Sequence, residues 1–464
     1  MAGIGFELRK LVETRTIRGV LGAAFSGTIV VAGPWLVSAA SIAAAQRLPF
    51  FSGPGIGLEF TGAMVWAFAL SICLSAAPLY LFVRLTSDLV YEKKKGEAAT
   101  LLLKYSGGTA LVSLPVGLAL AWLSVDPARD ATLLRLSFAM LFAALNVLWA
   151  ATMTATVVRR HGRILASYAA GMLAMYVLAR FLGPRYGAGG GVAALAAGYA
   201  LTAVALVFTA VGELGRRPYP GALKRMREYA HTYRFLALAG LLYAAATWID
   251  KGVLSLGGQG IAAAGTRFFT NPPYDTAFYY ANLSLIPGLV FFTISTETQL
   301  YLGLRRFVSW LGSRRLPDIE RAKSELYHGT ASILARQTAV QALVSLGLAL
   351  LVEPLAASMG ISPTVLLRLL AAGVFQLMLL SGLNLLFYLE LYRDAALSAF
   401  CFAALNLALS LAAVLAGRGP ELAGLPFLCS CVVSSALALF LGFRGIARFD
   451  RIVFLRATGA EYGK

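Results

Sequence analysis

Long apolar runs separated by short polar connections dominate this sequence. Each run reaches the roughly 20 residues that a helix needs to cross a bilayer. None alternates apolar and polar residues in the way that strands of an outer-membrane barrel do. The pattern therefore predicts an all-α integral membrane protein with about twelve transmembrane helices. The predicted helices lie at about 20–45, 60–83, 101–124, 132–157, 164–182, 191–213, 234–256, 278–302, 330–352, 363–388, 395–416 and 422–442.

The composition supports a membrane location. Hydrophobic residues make up 59% of the chain and charged residues 13%, and the mean hydropathy is +0.74. Soluble domains average about 45–50% apolar residues and about 25% charged residues. This balance excludes a water-soluble enzyme, a classical nucleic-acid-binding domain and a disulfide-rich secreted module. The sequence also lacks a phosphate-binding loop and an Asp-x-Asp pair for a nucleotide-sugar metal ion. We therefore expect no catalytic residues, no cofactor and no metal.

The basic residues are distributed unequally between the two predicted sides of the membrane. The chain has 40 Lys and Arg against 22 Asp and Glu, a net charge of +18. Of these 40 bases, 29 fall on the side that carries both termini and 7 on the other side. Because cytoplasmic connections are enriched in Lys and Arg, this distribution predicts that both termini are cytoplasmic. It also accounts for the net charge of +18, so no nucleic-acid partner is needed to explain that charge.

The connection at 214–233 is basic and divides the predicted helices into two equal sets. We expect an N-terminal six-helix lobe at 1–213 and a C-terminal six-helix lobe at 234–464 that ends in a short cytoplasmic tail. Six is an even number, so the two lobes have the same orientation in the membrane. No connection is long enough for a separate soluble domain.

Ionisable residues inside the predicted helices are candidates for function because charges are costly in the bilayer. Asp250 and Lys251 lie at the outer end of the seventh helix. Asp250 is suited to binding a coupling proton or cation, and Lys251 to contacting substrate. An ion pair between helices is the alternative, with equal support. Glu297 ends a polar run in the eighth helix, which indicates either a hydrated pathway or hydroxyls that bond to neighbouring helices.

Further candidates for the substrate path are polar and aromatic. Asn146 and Gln376 are amides in the fourth and tenth helices, where helix-to-helix hydrogen bonds explain them equally well. Trp35 could stack on a sugar, although an aromatic belt at the membrane surface is the commoner cause of such a residue. Tyr274 and Asp275 follow two prolines in a rigid outer turn that could gate an exit.

Several stretches of the sequence resemble one family of membrane transporters. The opening Met1–Lys10 (MAGIGFELRK) and the Trp248–Lys251 stretch (WIDK) are the specific ones. Gly33–Trp35 (GPW) and the region from Pro273 to Thr298 agree as well. On these residues the chain resembles, over its whole length, the PelG family, the inner-membrane transporters of the Pel exopolysaccharide system.

This resemblance implies a MATE/MOP flippase-like fold, with two six-helix lobes around a central cavity. It also implies export of a galactosamine-containing polysaccharide through the bacterial cytoplasmic membrane for biofilm formation. The implied partners are the polysaccharide substrate, a cytosolic Pel glycosyltransferase, other Pel inner-membrane proteins and the lipid bilayer. The few charged candidates are mixed in sign, which favours direct passage of polymer over a pyrophosphate-linked lipid.

Three other functions remain open at this level. A cation-coupled exporter of small amphiphiles has the same topology and uses the same acids. A non-transporting scaffold of a polysaccharide synthase would rely on the basic cytoplasmic connections. A membrane-embedded sugar polymerase would bind nucleotide sugar.

Overall fold

The computed structural model describes residues 17–53, 55–158 and 160–457. The Met1–Lys10 stretch therefore lies outside the described residues. Helices account for most of the described chain, and its β-structure is limited to two isolated bridges. In chain order the helices are α1 Ile17–Gln46, α2 Ile56–Tyr91, α3 Lys95–Ser124, α4 Thr132–Val158, α5 His161–Leu214, α6 Ala222–Thr232, α7 Arg234–Leu254, α8 Pro272–Leu283, α9 Ile286–Ser295, α10 Tyr301–Leu311, α11 Leu316–Ala349, α12 Val352–Met359, α13 Pro363–Tyr388, α14 Tyr392–Leu415, α15 Gly419–Leu422, α16 Leu425–Ala447 and α17 Phe449–Ala457.

Many of these helices are long and apolar enough to cross a bilayer. In the described part of the chain nine helices meet that criterion, or ten if α11 and α12, which meet at a 66° bend, form one broken span. The helix α5 covers two of the predicted segments, and Gly187 interrupts it with a φ of 59° and a ψ of −138°. The prediction of an all-helical, multi-pass membrane protein is therefore confirmed.

The described chain separates into two compact units. The N-terminal unit contains Ala32–Ala237 and also Ser255–Asn271, the segment between α7 and α8. The C-terminal unit contains Leu238–Leu254 and 272–457, together with 17–31. The chain thus leaves the C-terminal unit after α7, contributes a short segment to the N-terminal unit, and returns at the start of α8.

The core of the N-terminal unit is formed by α4 and the two halves of α5. Large side chains such as Phe138 and Tyr199 are buried there, together with many alanines. Gly171 and Gly198 allow the two halves of α5 to approach closely. A Cβ atom on Gly171 would lie 2.5 Å from the backbone oxygen of Gly198. Small residues of this kind are typical of helix contacts in membranes, where van der Waals packing drives association.

The segment Ser255–Asn271 is fixed to the N-terminal unit by backbone and side-chain contacts. Thr266 forms an antiparallel bridge with Val125 at the end of α3. The indole nitrogen of Trp66 donates to the backbone oxygen of Phe269 over 2.8 Å. The ring of Phe268 stacks on Phe138 with centroids 5.1 Å apart.

An ion pair stabilises the same region. Nη1 and Nη2 of Arg129 donate to the carboxylate of Glu59, over 2.7 and 3.1 Å. Arg129 also donates to the backbone oxygen of Ala264 in the Ser255–Asn271 segment, over 3.1 Å. Since Glu59 is buried, the bidentate pair supplies its two carboxylate oxygens with hydrogen-bond donors.

The C-terminal unit is built around α13, which packs on α16, α11 and α8. Gly382 of α13 lies so close to α16 that a Cβ atom would approach within 2.8 Å of the Cβ of Ala438. A buried polar contact joins α11 to α13: the amide of Gln337 and the hydroxyl of Ser381 exchange hydrogen bonds over 2.7 and 3.1 Å. Paired polar groups of this kind remove the penalty of burying either one alone.

Candidate functional site

The candidate site is a charged cluster in the C-terminal unit, at the end of α7 and the start of α8. The continuous apolar run of α7 forms a helix up to Leu254, which places Asp250 and Lys251 in its last turns. Two prolines begin α8, because a missing N–H is tolerated in the first turn of a helix, and Tyr274 and Asp275 follow directly. The structure thus brings four of the predicted residues together.

Asp250 and Tyr274 form the centre of this cluster. The tyrosine hydroxyl donates a hydrogen bond to Oδ2 of the carboxylate. Both side chains are buried, with 2% and 3% of their surfaces exposed. The other carboxylate oxygen, Oδ1, is buried without a hydrogen-bond partner among the described residues. A buried carboxylate with one unpaired oxygen is costly when ionised, which makes Asp250 the candidate in this cluster for a role in coupling.

Lys251 completes the charged part of the site. Its ammonium lies 3.6 Å from the ring centroid of Phe278 and 4.3 Å from that of Trp248. Aromatic faces attract cations in this way, with a free energy of about 0.5–2 kcal/mol. The lysine also interacts electrostatically with Asp275 and Asp250. The cluster therefore holds one cation beside two carboxylates.

The sequence analysis missed two buried neighbours of Asp250. Asn406 of α14 and Cys431 of α16 both interact with its carboxylate. The amide of Asn406 donates to the backbone oxygen of Ala246 in α7 over 2.8 Å, which fixes α14 against that helix. Neither residue stood out in the sequence, because an amide or a thiol in an apolar run is common and its partner lies more than 150 positions away.

The structure places the other predicted site residues on other elements. Asn146 is buried in the N-terminal unit, and its amide donates to the backbone oxygen of Phe142 in the same helix over 2.7 Å. Trp35 is on α1 with 38% of its surface exposed. Gln376 is half-buried on α13. Glu297 lies in the π-helical turn Thr296–Leu300, and its side chain is outside the described part of the structure.

The family model PelG, described as "Putative exopolysaccharide Exporter (EPS-E)", matches residues 1–454. No curated protein matches this chain.

Solved structures of similar architecture are transporters. A MATE transporter in the straight conformation is similar with a TM-score of 0.63 and 13% identity, over 92% of this chain and 96% of that chain. A MOP superfamily transporter from Pyrococcus furiosus has a TM-score of 0.54 and 13% identity over the same shares. The Vibrio cholerae MATE transporter VcmN has a TM-score of 0.56 and 16% identity, over 98% of each chain. At these identities the likeness shows a MATE-like fold.

Proposed function

Because this chain belongs to the PelG family of exopolysaccharide exporters, we propose that it moves a galactosamine-containing exopolysaccharide, Pel, across the bacterial cytoplasmic membrane for biofilm matrix formation. The family and the MATE-like fold establish a membrane transporter. The proposed layout has twelve spans in two six-helix lobes, with both termini cytoplasmic. A cytosolic glycosyltransferase would supply the polymer, and the basic cytoplasmic connections would dock it.

The buried carboxylate of Asp250 is the observation that carries the mechanism. It lies in a low-dielectric interior, next to a tyrosine hydroxyl and a lysine, and one of its oxygens has no hydrogen-bond partner in the described part of the chain. Such a group binds a proton or cation more tightly when the site closes and releases it when water enters. We propose that export is coupled to a cation gradient through this change in affinity.

The export function is tested by following labelled sugar in a producing strain. The gene for this chain is deleted and the synthase is retained at normal levels. Polymer trapped in the cytoplasm is the expected result. Absence of polymer from every compartment would contradict export and would support a part in synthesis or in assembly of the synthase.

The coupling is tested separately with Asp250→Asn. This substitution keeps the size of the side chain and its hydrogen bonds but removes the negative charge. We expect export to fall at least tenfold at normal protein level and normal polymer synthesis. Undiminished export would contradict coupling through Asp250 and would favour a mechanism in which polymerisation itself pushes the chain through the membrane.

A second candidate function is cation-coupled export of small amphiphiles. The structural neighbours favour it, since one similar structure is that of a multidrug resistance MATE family transporter, with a TM-score of 0.57 and 13% identity. Efflux of unrelated cationic dyes from cells that express the chain distinguishes the two. Dye efflux that Asp250→Asn abolishes would support the small-molecule exporter, and efflux equal to that of empty cells would exclude it for those dyes.

A further inference from the structure

A cavity lies in the C-terminal unit between α11 and the region formed by α10 and the turn before it. Its volume is about 220 Å³. Buried apolar side chains form part of its wall, among them Leu300, Leu326 and Ile333. The polar part of the lining consists of Gln299, Arg306, Glu325, Thr330, Ser332 and Arg336.

Arg336 lines this cavity and has hydrogen-bond donors that find no partner among the described residues. It is exposed on α11, which with α12 forms the bent pair that is apolar enough to span a membrane. Its Nε donates to the backbone oxygen of Ser332 over 3.2 Å, and one Nη donates to the amide oxygen of Gln299 over 3.4 Å. A guanidinium has five N–H donors, so these two bonds leave three for another partner.

Arg306 brings a second guanidinium to the same cavity. Its Nη1 lies 3.7 Å from Oε2 of Glu325, which is longer than a hydrogen bond. Glu325 is shared, since Arg321 also donates to it over 3.3 Å. The carboxylate of Glu325 thus interacts with Arg306 and Arg321, and the cavity lining contains two arginines, Arg306 and Arg336. Among the described lining residues, two arginines and one glutamate carry charge, and this net positive charge suits an anion.

The surroundings indicate that the anion belongs to a lipid. The helix α10 is amphipathic: Phe307 is buried, whereas Leu302 and Val308 are exposed. Exposed apolar side chains beside arginines are typical of helices that lie at the membrane surface. Basic pockets between membrane helices bind lipid head groups, and the planar guanidinium matches the oxygens of a phosphate.

We propose that this cavity binds the phosphate of an anionic phospholipid, held by Arg306 and Arg336. The apolar part of the wall contacts the glycerol and the first acyl carbons. The site is distinct from the Asp250 cluster and does not depend on the identity of the exported substrate.

The test uses the full-length chain, purified in detergent and freed of lipid. Native mass spectrometry measures binding of dioleoylphosphatidylglycerol, of dioleoylphosphatidylcholine and of inorganic phosphate. We expect phosphatidylglycerol to bind at least about tenfold more tightly than phosphatidylcholine. The double variant Arg306→Gln/Arg336→Gln should lose most of that preference, because two charge-assisted hydrogen-bonding groups are removed.

Two further variants make the result specific. Arg305→Gln/Arg315→Gln removes the same charge from exposed residues outside the cavity lining, and should bind phosphatidylglycerol like the unchanged protein. Gly329→Leu keeps both arginines but adds a side chain to the lining. A Cβ atom there meets nothing within 4 Å, so we expect the variant to fold and to lose the lipid.

Three outcomes would overturn the proposal. If Arg305→Gln/Arg315→Gln lost as much of the preference for phosphatidylglycerol as Arg306→Gln/Arg336→Gln, the preference would come from general surface charge. If Gly329→Leu and the double arginine variant, tested separately, both bound phosphatidylglycerol like the unchanged protein, the lipid would have to bind elsewhere. Inorganic phosphate that binds as tightly as phosphatidylglycerol, and displaces it, would identify a soluble anion as the ligand.

Discussion

The hydroxyl of Tyr274 donates a hydrogen bond to the carboxylate of Asp250, and both residues are buried. They stand on consecutive helices, α7 and α8, on either side of the segment Ser255–Asn271. The hydrogen bond therefore ties these two helices together where the chain leaves the C-terminal unit and returns to it. This hydrogen bond therefore both positions the carboxylate of Asp250 and holds α7 and α8 together.

Tyr274→Phe is expected to destabilise the protein by about 1–3 kcal/mol, because it leaves a second buried oxygen of Asp250 without a donor. Thermal unfolding in detergent measures the change. Tyr280→Phe, on the exposed side of the same helix, is the control and should unfold like the unchanged protein. In an Asp250→Ala background, which lacks the acceptor oxygen, the effect of Tyr274→Phe should become smaller, since both substitutions then remove the same interaction. Full additivity would show that the hydrogen bond contributes nothing.

Lys251→Met is expected to reduce export more than Lys251→Arg. Methionine retains the apolar contact with Phe278 but removes the positive charge that interacts with Asp275 and Asp250. Export per unit of membrane-inserted protein is the measurement, with labelled polymer outside the cell as the readout. Trp248→Leu removes one cation–π contact, worth about 0.5–2 kcal/mol, and should lower export less. Export by the methionine variant at the level of the unchanged protein would show that the charge is dispensable.

Glu59→Gln is expected to loosen the segment Ser255–Asn271. The substitution breaks the bidentate pair with Arg129, whose guanidinium also holds the backbone at Ala264. Losing a buried partner of this kind costs about 3–5 kcal/mol at most, and less here because Arg129 is partly exposed. Hydrogen exchange measured by mass spectrometry should show faster exchange across 261–270.

The control for Glu59→Gln is Glu421→Gln. It breaks the pair with Arg418, in which both side chains are more than 60% exposed. Exposed pairs contribute little, so exchange and stability should stay unchanged. Equal effects of the two substitutions would contradict a special role for the Glu59 pair.

Gly171→Ala is expected to destabilise the N-terminal unit by about 1–3 kcal/mol through overpacking. The new methyl group would lie 2.5 Å from the backbone oxygen of Gly198, which cannot rotate away. Gly107→Ala is the matched control, since a Cβ atom there meets nothing within 4 Å and alanine favours a helix. The two melting temperatures should therefore move in opposite directions. An unchanged melting temperature for Gly171→Ala would show that the two halves of α5 can move apart at little cost.

The positions of the helices were predictable because a bilayer demands long apolar segments, and each predicted segment overlaps helical residues in the structure. The break in α5 was predictable in part. The glycine-rich run around Gly187 separates two predicted segments, yet only the structure shows that the helix continues on both sides of one residue. The pairing of Asp250 with Tyr274 was not predictable, although both were candidates, because hydropathy gives no information on which helices pack together.

The sequence by itself determined the class of the protein, its helical segments and the residues whose charge is costly in a membrane. These properties depend on local composition and on the thickness of the bilayer. Only the tertiary structure decided that Asn406 and Cys431 border Asp250, that Glu59 pairs with Arg129, and that Arg306 and Arg336 share a cavity. Such contacts join residues far apart in the chain, and they depend on how close packing selects one arrangement of helices among many that the same hydropathy pattern allows.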